Sequence, residues 1–184
     1  MIKKWKFISR ESLLDHSRMK IVEDSVELPD GNVIKYIREA PTSLDSVTTI
    51  AVNDKDEILV QQEYSYPPDE IMYQLPGGKV EIGEDVIVAA NRELSEESGF
   101  MATDCTVLGS FYVNNRRSNI KQYVVLCKNI EVKKSAKDAE EFIESQWLSR
   151  TAIQDLIRNG KIVNMNMLAA LQLFDASMHN TRII

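Results

Sequence analysis

Three glutamates in one short stretch of the chain have the residue type and spacing of a metal site: Glu93, Glu96 and Glu97. On a helix with about 100° per residue, Glu93 and Glu97 continue the stripe that begins with Val86 and Ala90. An ordinary amphipathic helix would place such acids on its solvated face. Carboxylates at i and i+4 repel each other and oppose the helix dipole near its C-terminus, at a cost of roughly 0.3–1 kcal/mol each. A bound divalent cation would remove that cost.

The ligand type indicates which metal this would be. Hard oxygen donors favour Mg²⁺ or Mn²⁺ over zinc. The chain has only two histidines, His16 and His179, which leaves little material for a zinc site or a Ser-His-Asp triad. The alternative interpretation of the glutamates is a solvated helix face on which Arg92 pairs with Glu96 at i, i+4.

The residues around the glutamates decide between these two interpretations. Over the 23 residues from 78 to 100 the chain satisfies all nine fixed positions of the pattern G-x5-E-x7-R-E-U-x-E-E-x-G-U, where U is a bulky apolar residue. The matching residues are Gly78, Glu84, Arg92, Glu93, Leu94, Glu96, Glu97, Gly99 and Phe100. This pattern is the Nudix box, and the chain resembles the Nudix hydrolase family.

The resemblance implies a loop–helix–loop that holds Mg²⁺, or Mn²⁺, against the diphosphate of a nucleoside diphosphate linked to another group. The implied metal ligands are Glu93, Glu96, Glu97 and the backbone carbonyl of Gly77. Arg92 is also expected to be a catalytic residue, because the arginine at this position of the family's pattern holds the glutamates in place through a salt bridge. Gly78 and Glu84 are expected to support the site from the loop and the helix start.

A larger part of the chain resembles the ADP-ribose and nucleotide-sugar pyrophosphatase branch of the family. The similar segments are Trp5 with the following ISRESLL, then VELPDG, ILVQQEYSYP and QLPGGKVEIGE. The implied substrate is an NDP-sugar or an ADP-ribose-like compound, cleaved to a nucleoside monophosphate and a sugar phosphate. In that branch a small sheet domain, here about residues 1–45, swaps across a homodimer, and residues 46–184 form the hydrolase domain.

The substrate contacts are less determined than the box. Trp5 and Tyr64 could stack on a base, although packing against neighbouring residues explains such aromatics as well. Residues 63–66 read E-Y-S-Y where the branch reads Q-Y-R-Y. Glu63 is therefore a candidate substrate-binding residue, and the arginine that the branch carries in this motif is missing. The proline that ADP-ribose members carry after the box is also absent.

The loop at that place reads NNRRS over residues 114–118 and offers two replacement cations, Arg116 and Arg117. Guanidinium groups match phosphate oxygens, so these arginines are candidates for binding the substrate phosphates. The alternative is that both are exposed loop charges, and the sequence leaves the two interpretations open.

The general base is expected on a loop before the last mixed segment, as is frequent in this branch. Residues 138–144 read DAEEFIE there, and Glu141 is the first candidate, followed by Glu140. Glu93 is the competing base if the loop acid only closes over the site.

Local patterns predict the elements that position these residues. A helix is expected over 84–98 with Gly99 as its C′ stop, and two more over 149–159 and 163–176. Strands are also predicted. Those before residue 38 form a small antiparallel sheet, those at 46–52 and 57–66 form a hairpin around a polar loop, and two more cover 105–113 and 121–132. The fold class is therefore α+β, and the resemblance implies an α/β/α sandwich with a mixed sheet, plus the small N-terminal sheet.

Composition excludes several other classes of protein. The 184 residues carry a formal charge of −6, which argues against general nucleic-acid binding, and no stretch is apolar enough to span a membrane. No secretory signal is visible, and Cys105 and Cys127 lack a C-x-x-C spacing, so two reduced thiols in a cytoplasmic protein are expected. The competing functions are a non-catalytic nucleotide or ADP-ribose sensor and a housecleaning nucleoside triphosphatase.

Overall fold

The computed structural model describes residues 1–42, 44–133 and 142–180. The chain divides into two compact units. The first unit comprises the chain up to residue 43 together with the loop 114–120, and the second unit comprises the remainder.

The first unit contains one antiparallel sheet with the order β1-β2-β3. Its strands are β1 (Lys6–His16), β2 (Met19–Glu27) and β3 (Val33–Glu39). The Pro-Asp-Gly segment forms the predicted turn between β2 and β3, where the amide of Gly31 donates to the carbonyl of Leu28 at 2.9 Å. Gly31 adopts a φ of +87°, which favours glycine.

A buried carboxylate joins the three strands of this sheet. Asp24 on β2 is 4% exposed and accepts from Arg10 on β1 at 2.6 Å and from Arg38 on β3 at 2.8 Å. Burial of a carboxylate is tolerated because these two guanidinium groups supply charge and hydrogen bonds. The ion pairs therefore fix the order and register of the small sheet.

The described residues of the second unit form two further sheets and three helices. Its elements are β4 (Ser46–Ala51), β5 (Ile58–Ser65), β6 (Glu70–Gln74), α1 (Val86–Ser98), β7 (Phe100–Tyr112), β8 (Lys121–Val132), β9 (Glu144–Leu148), α2 (Arg150–Arg158) and α3 (Met165–Asn180). One sheet is mixed, with the order β4-β8-β7, because β4 runs parallel to β8 and β7 runs antiparallel to it. The other sheet is antiparallel, with the order β6-β5-β9.

Alternate residues along the strands supply two separate cores. On β4, Val47 and Ala51 pack in the cluster that contains residues of α1, whereas Ile50 packs in the cluster that contains residues of α2 and α3. On β8, Val125 packs in the cluster with residues of α1, and Val124 packs in the cluster with residues of α2 and α3. Successive side chains of a strand point to opposite faces, so helices cover both faces of the strands. The expected α+β fold, an α/β/α sandwich with a mixed sheet, is confirmed.

The predicted hairpin of β4 and β5 is wrong. A polar turn does connect the strands, with the amide of Asn53 donating to the carbonyl of Glu57 at 3.0 Å and Asp56 at a φ of +59°. Beyond one isolated bridge between Val52 and Ile58, however, β4 pairs with β8 and β5 pairs with β6 and β9. The turn therefore moves the chain from one sheet to the other.

The expectation of two reduced thiols is also wrong. Cys105 on β7 lies directly opposite Cys127 on β8, with Cα atoms 4.3 Å apart, and the two form a disulfide. The sequence separation of 22 residues gave no sign of this pairing, which depends on the register of two antiparallel strands.

The helices lie close to their predicted positions. Helix α1 begins at Val86 because the carboxylate of Asp85 accepts from the amide of Ile87 at 2.8 Å, the arrangement of an N-cap. It ends at Gly99, which has the left-handed φ of +75° expected of a C′ residue. Within the described residues, none of the helices combines the length and the apolar character that crossing a membrane requires.

Candidate active site

The predicted metal-binding loop runs along the edge of β4. The amide of Val47 donates to the carbonyl of Gly78 at 2.8 Å, and the amide of Thr49 donates to the carbonyl of Pro76 at 2.7 Å. Carbonyl groups alternate in direction along an extended segment. The two bonded carbonyls therefore face β4, and the carbonyl of Gly77 between them is directed away from that strand.

Both glycines of this loop lie where a side chain would collide with a neighbour. A Cβ atom at Gly77 would lie 2.1 Å from the backbone oxygen of Val47, and the φ of Gly77 is +156°. A Cβ atom at Gly78 would lie 2.5 Å from Oε1 of Glu93. The first glycine thus permits the close approach to β4, and the second leaves room for a carboxylate of α1.

Helix α1 is held against the sheet by polar contacts as well as by its apolar face. The side chain of Asn91 donates to the carbonyl of Ala102 at 2.7 Å and accepts from the amide of the same residue at 2.8 Å. The buried hydroxyl of Thr49 on β4 donates to the carbonyl of Ala90 at 3.3 Å. These contacts fix the position of the glutamates relative to the glycine loop.

Arg92 connects the glutamates to the loop. Its Nε and Nη2 donate to the two carboxylate oxygens of Glu84 at 2.9 and 3.0 Å. Its Nη1 donates to Glu93 at 2.9 Å and to Glu96 at 3.1 Å, and its Nη2 also donates to the carbonyl of Lys79 at 2.9 Å. A guanidinium presents donors in a rigid fork, which is why one arginine can serve three carboxylates.

Burial and the arginine act in opposite directions on the acids. Hydrogen bonds from Arg92 lower the pKa of Glu84. In turn, the carboxylates of Glu84 and Glu93 raise the pKa of Arg92. Burial raises the pKa of Glu93 above its usual range, although Arg92 partly opposes this shift. A group of positive charge close to Glu93 would therefore favour its ionised form.

Glu97 is the most enclosed of the three predicted ligands. It is 8% exposed, and its Oε2 accepts from the amide of Gly77 at 3.2 Å. The side chain of Glu96 is 48% exposed and that of Glu93 is 15% exposed. Glu93 and Glu97 therefore reach the consecutive residues Gly78 and Gly77 from one helix face, while Glu96 lies at its solvated margin.

The donor set suits a hard divalent cation, because it consists of carboxylate oxygens and the backbone carbonyl of Gly77. Across the described ranges, however, no three acidic, thiol or imidazole side chains converge as a ready cluster of metal ligands. Nη1 of Arg92 donates to Oε1 of Glu93 and to Oε2 of Glu96. Arg92 bonds only one oxygen of each carboxylate, so the other oxygen of each could face a cation while the guanidinium stays in place.

A polar cavity of about 240 Å³ borders the same glycine loop. Its side chains include those of Ser46, Thr48, Gln74, Gln122, Asn164 and Asn166. Thr48 and Gln122 are buried and bonded to each other at 2.9 Å, while Oδ1 of Asn166 is buried without a partner among the described residues. No local sequence signal indicated this cavity, because its lining comes from segments far apart in the chain.

The first unit gathers three other predicted substrate residues around Tyr36. The rings of Trp5 and Tyr36 meet edge to face with centroids 5.8 Å apart, and Cζ of Arg117 lies 5.4 Å from the Tyr36 centroid. The hydroxyl of Tyr36 donates to the carbonyl of Arg116 at 2.6 Å. Sequence reasoning missed Tyr36, which looks like an ordinary strand aromatic until the loop 114–120 is placed beside β3.

The two candidates on β5 already have partners within the second unit. Glu63 accepts from Nε2 of Gln74 at 2.6 Å, and the hydroxyl of Tyr64 donates to Asp69 at 2.8 Å. Tyr64 is 51% exposed, so its ring is not core packing. The two general-base candidates, Glu140 and Glu141, lie outside the described residues.

The fold and this site define a class of protein: an α/β/α sandwich in which a helix presents clustered carboxylates to a glycine loop, as in hydrolases of pyrophosphate bonds. The model of the NUDIX domain matches residues 42–171. The chain belongs to the Nudix family and is a hydrolase that acts on pyrophosphate bonds.

Several characterised proteins are similar over most of their length. An ADP-ribose pyrophosphatase of Bacillus subtilis (strain 168) is 27% identical over 91% of this chain and 90% of its own. A methanol dehydrogenase activator of Bacillus methanolicus is 29% identical over the same shares. The crystal structure of an ADP compounds hydrolase superposes with a TM-score of 0.91 over 100% of this chain and 99% of its own, and at 22% identity this likeness shows the fold alone.

Proposed function

We propose that this protein hydrolyses the diphosphate bond of an ADP-ribose-like compound or an NDP-sugar, with Mg²⁺ as cofactor and Mn²⁺ as a possible substitute. Water attacks one phosphorus of the P–O–P bridge and loses a proton, the bond from that phosphorus to the bridging oxygen breaks, and the other phosphate leaves with this oxygen. The products are therefore a nucleoside monophosphate and a sugar phosphate. The relatives named for ADP-ribose and ADP compounds support this substrate class. The observation that carries the proposal is the convergence of Glu93 and Glu97 on the consecutive glycines of the loop.

Glu93, Glu96, Glu97 and the carbonyl of Gly77 would hold the cation. When bound, such an ion neutralises diphosphate oxygens and lowers the pKa of an attacking water. Glu84 and Arg92 orient the carboxylates through the hydrogen bonds described above. Arg92 also keeps positive charge beside Glu93 when no cation is bound, which offsets the burial of that carboxylate.

The proton acceptor for the attacking water remains a prediction. Glu141 is the first candidate and Glu140 the second, and Glu93 is the competing base within the described residues. Separate Gln substitutions at these three positions, compared by kcat as a function of pH, would identify the base, because only its loss removes the acidic limb of the profile.

The decisive experiment measures phosphate-ester release from ADP-ribose, NDP-sugars, dinucleotides and dNTPs with Mg²⁺ or Mn²⁺. We expect Glu97→Gln to lower kcat by about 10²-fold or more with little change in thermal stability. Glu81→Gln is the matched control, because Glu81 is an exposed acid of the same segment outside the fixed positions of the box. Wild-type rates in Glu97→Gln would show that the proposed ligand set is wrong.

The same panel separates the competing functions. Preferential cleavage of dNTPs would favour a housecleaning triphosphatase. Ligand-induced thermal stabilisation without release of any product would favour a non-catalytic sensor. A sensor is not expected, because Glu93, Glu96 and Glu97 are all present on one helix. A triphosphatase is disfavoured by the N-terminal sheet segment, which resembles that of the pyrophosphatase branch.

We also propose that the protein is a cytoplasmic homodimer whose N-terminal sheet contributes the subunit contact. Large apolar side chains stand exposed on this sheet, among them Phe7, Leu13, Leu14, Val33 and Ile37. Such a set on one small sheet is characteristic of an interaction surface. Sedimentation equilibrium should give twice the chain mass of 21.0 kDa, and a single-chain mass would contradict the proposal.

A further inference from the structure

The described residues that line the polar cavity beside the glycine loop all belong to the second unit. Gly77 and Gly78 are among them, and the same two glycines meet the carboxylates of Glu97 and Glu93. A compound whose diphosphate lies at these carboxylates can therefore extend the group attached to that diphosphate into the cavity. The volume of about 240 Å³ is below the roughly 300–1,000 Å³ of pockets for drug-sized ligands, so the cavity suits one ring of a substrate.

The lining of the cavity favours a neutral ligand that carries several hydroxyl groups. Its polar side chains are mainly carboxamides and hydroxyls, those of Ser46, Thr48, Gln74, Gln122, Asn164 and Asn166. Among the described lining residues only Lys79 is charged, and none is aromatic. Phosphates are typically bound by several cationic groups, and nucleobases typically stack on aromatic rings. The hydroxyls of a sugar both donate and accept hydrogen bonds, which is what carboxamides require.

Three of the carboxamides are already held by the protein. Gln74 and Gln122 donate through Nε2 to neighbouring side chains, at 2.6 and 2.9 Å. Oδ1 of Asn164 accepts from the amide of Met167 at 3.0 Å, the bond of an N-cap to the first turn of α3. Each of these amide groups is therefore fixed in one orientation by a bond within the chain.

Asn166, also in the first turn of α3, differs from these three. Its Oδ1 is buried and has no hydrogen-bond partner among the described residues. Burial of a carbonyl oxygen without a donor destabilises a folded protein. A rotation of the carboxamide about χ2 would turn this oxygen towards the cavity that Asn166 lines, where a ligand hydroxyl could supply the missing donor.

We propose that the cavity binds the sugar joined to the diphosphate of the substrate, and that Asn166 is a specificity-determining residue that accepts a hydrogen bond from a sugar hydroxyl. This inference rests on the proposed hydrolysis of an ADP-ribose-like compound or an NDP-sugar, and it states which part of that substrate the cavity recognises. An analogue without the hydroxyl leaves the buried oxygen unpaired, so the contact discriminates between sugars.

The first test measures the stability of the ligand-free protein. Asn166→Leu removes the unpaired oxygen and keeps a similar volume, so the melting temperature should stay the same or rise by up to about 2–4 °C. Asn164→Leu is the matched control, because it removes the N-cap of the same helix and should lower the melting temperature by about 2–4 °C. A lower melting temperature of Asn166→Leu would show that this side chain serves the fold and not a ligand.

The second test compares hydrolysis of ADP-ribose with that of analogues that each lack one hydroxyl of the terminal ribose. For the wild type, at least one analogue should have a kcat/KM about 10- to 100-fold lower than that of ADP-ribose. For Asn166→Leu, the same analogue and ADP-ribose should differ less than about threefold, because the two partners of one hydrogen bond are non-additive. Equal discrimination by both proteins would overturn the proposal.

An analogue with a changed base and an unchanged sugar distinguishes the two ends of the substrate. Replacement of adenine by hypoxanthine should change kcat/KM by the same factor in the wild type and in Asn166→Leu. If Asn166→Leu instead alters only the discrimination between these bases, the cavity binds the base and the proposal is wrong.

Calorimetric binding of ADP-ribose and its deoxy analogues without divalent cation separates this inference from the proposed function. If the wild type hydrolyses ADP-ribose and Asn166→Leu discriminates among the analogues as the wild type does, the inference fails while the function stands. If the wild type binds ADP-ribose without hydrolysing it, the proposed function fails, and discrimination in binding that Asn166→Leu abolishes still supports the sugar contact. If the wild type neither binds nor hydrolyses it or any NDP-sugar, both are wrong.

Discussion

Gly78 and Glu93 share one small volume: a Cβ atom on residue 78 would lie 2.5 Å from Oε1 and 2.8 Å from Oε2 of the carboxylate. The glycine of the loop and the glutamate of the helix are 15 positions apart in the sequence, yet the side chain of one fills the space left by the absence of a side chain in the other. This relationship explains why the loop requires glycine independently of backbone flexibility, since the φ of Gly78 is not positive.

We predict that Gly78→Ala affects activity far more than folding. The carboxylate of Glu93 is the flexible end of a side chain and can move aside, so the free energy of unfolding should fall by roughly 1 kcal/mol or less. Displacing it by about 1 Å should lower kcat about 10²-fold. Gly83→Ala is the control: its φ of +80° makes alanine strained, but a Cβ there meets no atom within 4 Å. Both variants are tested by chemical denaturation and by measurement of kcat. A lower activity of Gly83→Ala than of Gly78→Ala would contradict the prediction.

Gly77→Ala should have the opposite profile. Its Cβ would lie 2.1 Å from the backbone oxygen of Val47, which cannot move without disrupting the pairing of the loop with β4. We expect a loss of about 3 kcal/mol in the free energy of unfolding. Urea denaturation monitored by circular dichroism would measure it, and a stability equal to that of Gly78→Ala would show that the loop tolerates a shift.

Arg92→Lys should show that geometry, rather than charge, makes Arg92 necessary. Lysine keeps the positive charge but cannot donate to Glu84, Glu93 and Glu96 together. We expect kcat/KM to fall about 10- to 100-fold, as for other residues that orient metal ligands. Arg158→Lys, which alters an exposed pair with Asp155, should leave it unchanged. Wild-type kinetics in Arg92→Lys would remove the orienting role.

Asp24 should control the acid stability of the first unit. Hydrogen bonding from Arg10 lowers the pKa of Asp24, and Arg38 adds to this shift against the opposing effect of burial. A folded-state pKa below the unfolded value means that the ion pairs stabilise fully above about pH 4 and are lost as the pH falls through the folded-state pKa. Asp24→Asn should therefore cost about 2 kcal/mol at pH 7, less than a fully buried pair because both guanidinium groups are partly exposed.

The pH series supplies the check on that variant. A salt-bridged aspartate titrates between about pH 5 and pH 2. Over that range the free energy of unfolding of Asp24→Asn should change less than that of the wild type. Asp15→Asn, which removes an exposed pair with Lys20, should follow the wild type. Parallel curves for wild type and Asp24→Asn would show that this carboxylate does not govern acid unfolding.

The disulfide of Cys105 and Cys127 predicts a dependence of stability on reduction. Thiol titration of the denatured protein should find no reactive thiol before reduction and two after it. Reduction should lower the free energy of unfolding by up to about 3 kcal/mol, the value for a loop of this length. Cys105→Ala should be insensitive to the reductant. Two titratable thiols in the untreated denatured protein would contradict the bond.

Local patterns sufficed for the three helices and for most of the strands, but not for the pairing of the strands. Asp85 and Gly99 delimit α1 through contacts within a few residues, so the sequence places this helix to within two positions. The hairpin of β4 and β5 failed because a polar turn between two strands indicates a reversal of the chain but not the sheet that each strand joins. Strand β9 was missed for the same reason, since it is defined by its pairing with β5.

The sequence by itself determined the family, the carboxylate chemistry of the box and the helix that carries it, because residue type and spacing along one helix fix which side chains share a face. Only the tertiary structure decided which groups those side chains meet. It placed Glu93 and Glu97 against consecutive glycines, joined Cys105 to Cys127 and brought Tyr36 beside the loop of residues 114–120. These contacts join segments far apart in the chain, and they depend on sheet register and loop packing, which no local pattern encodes.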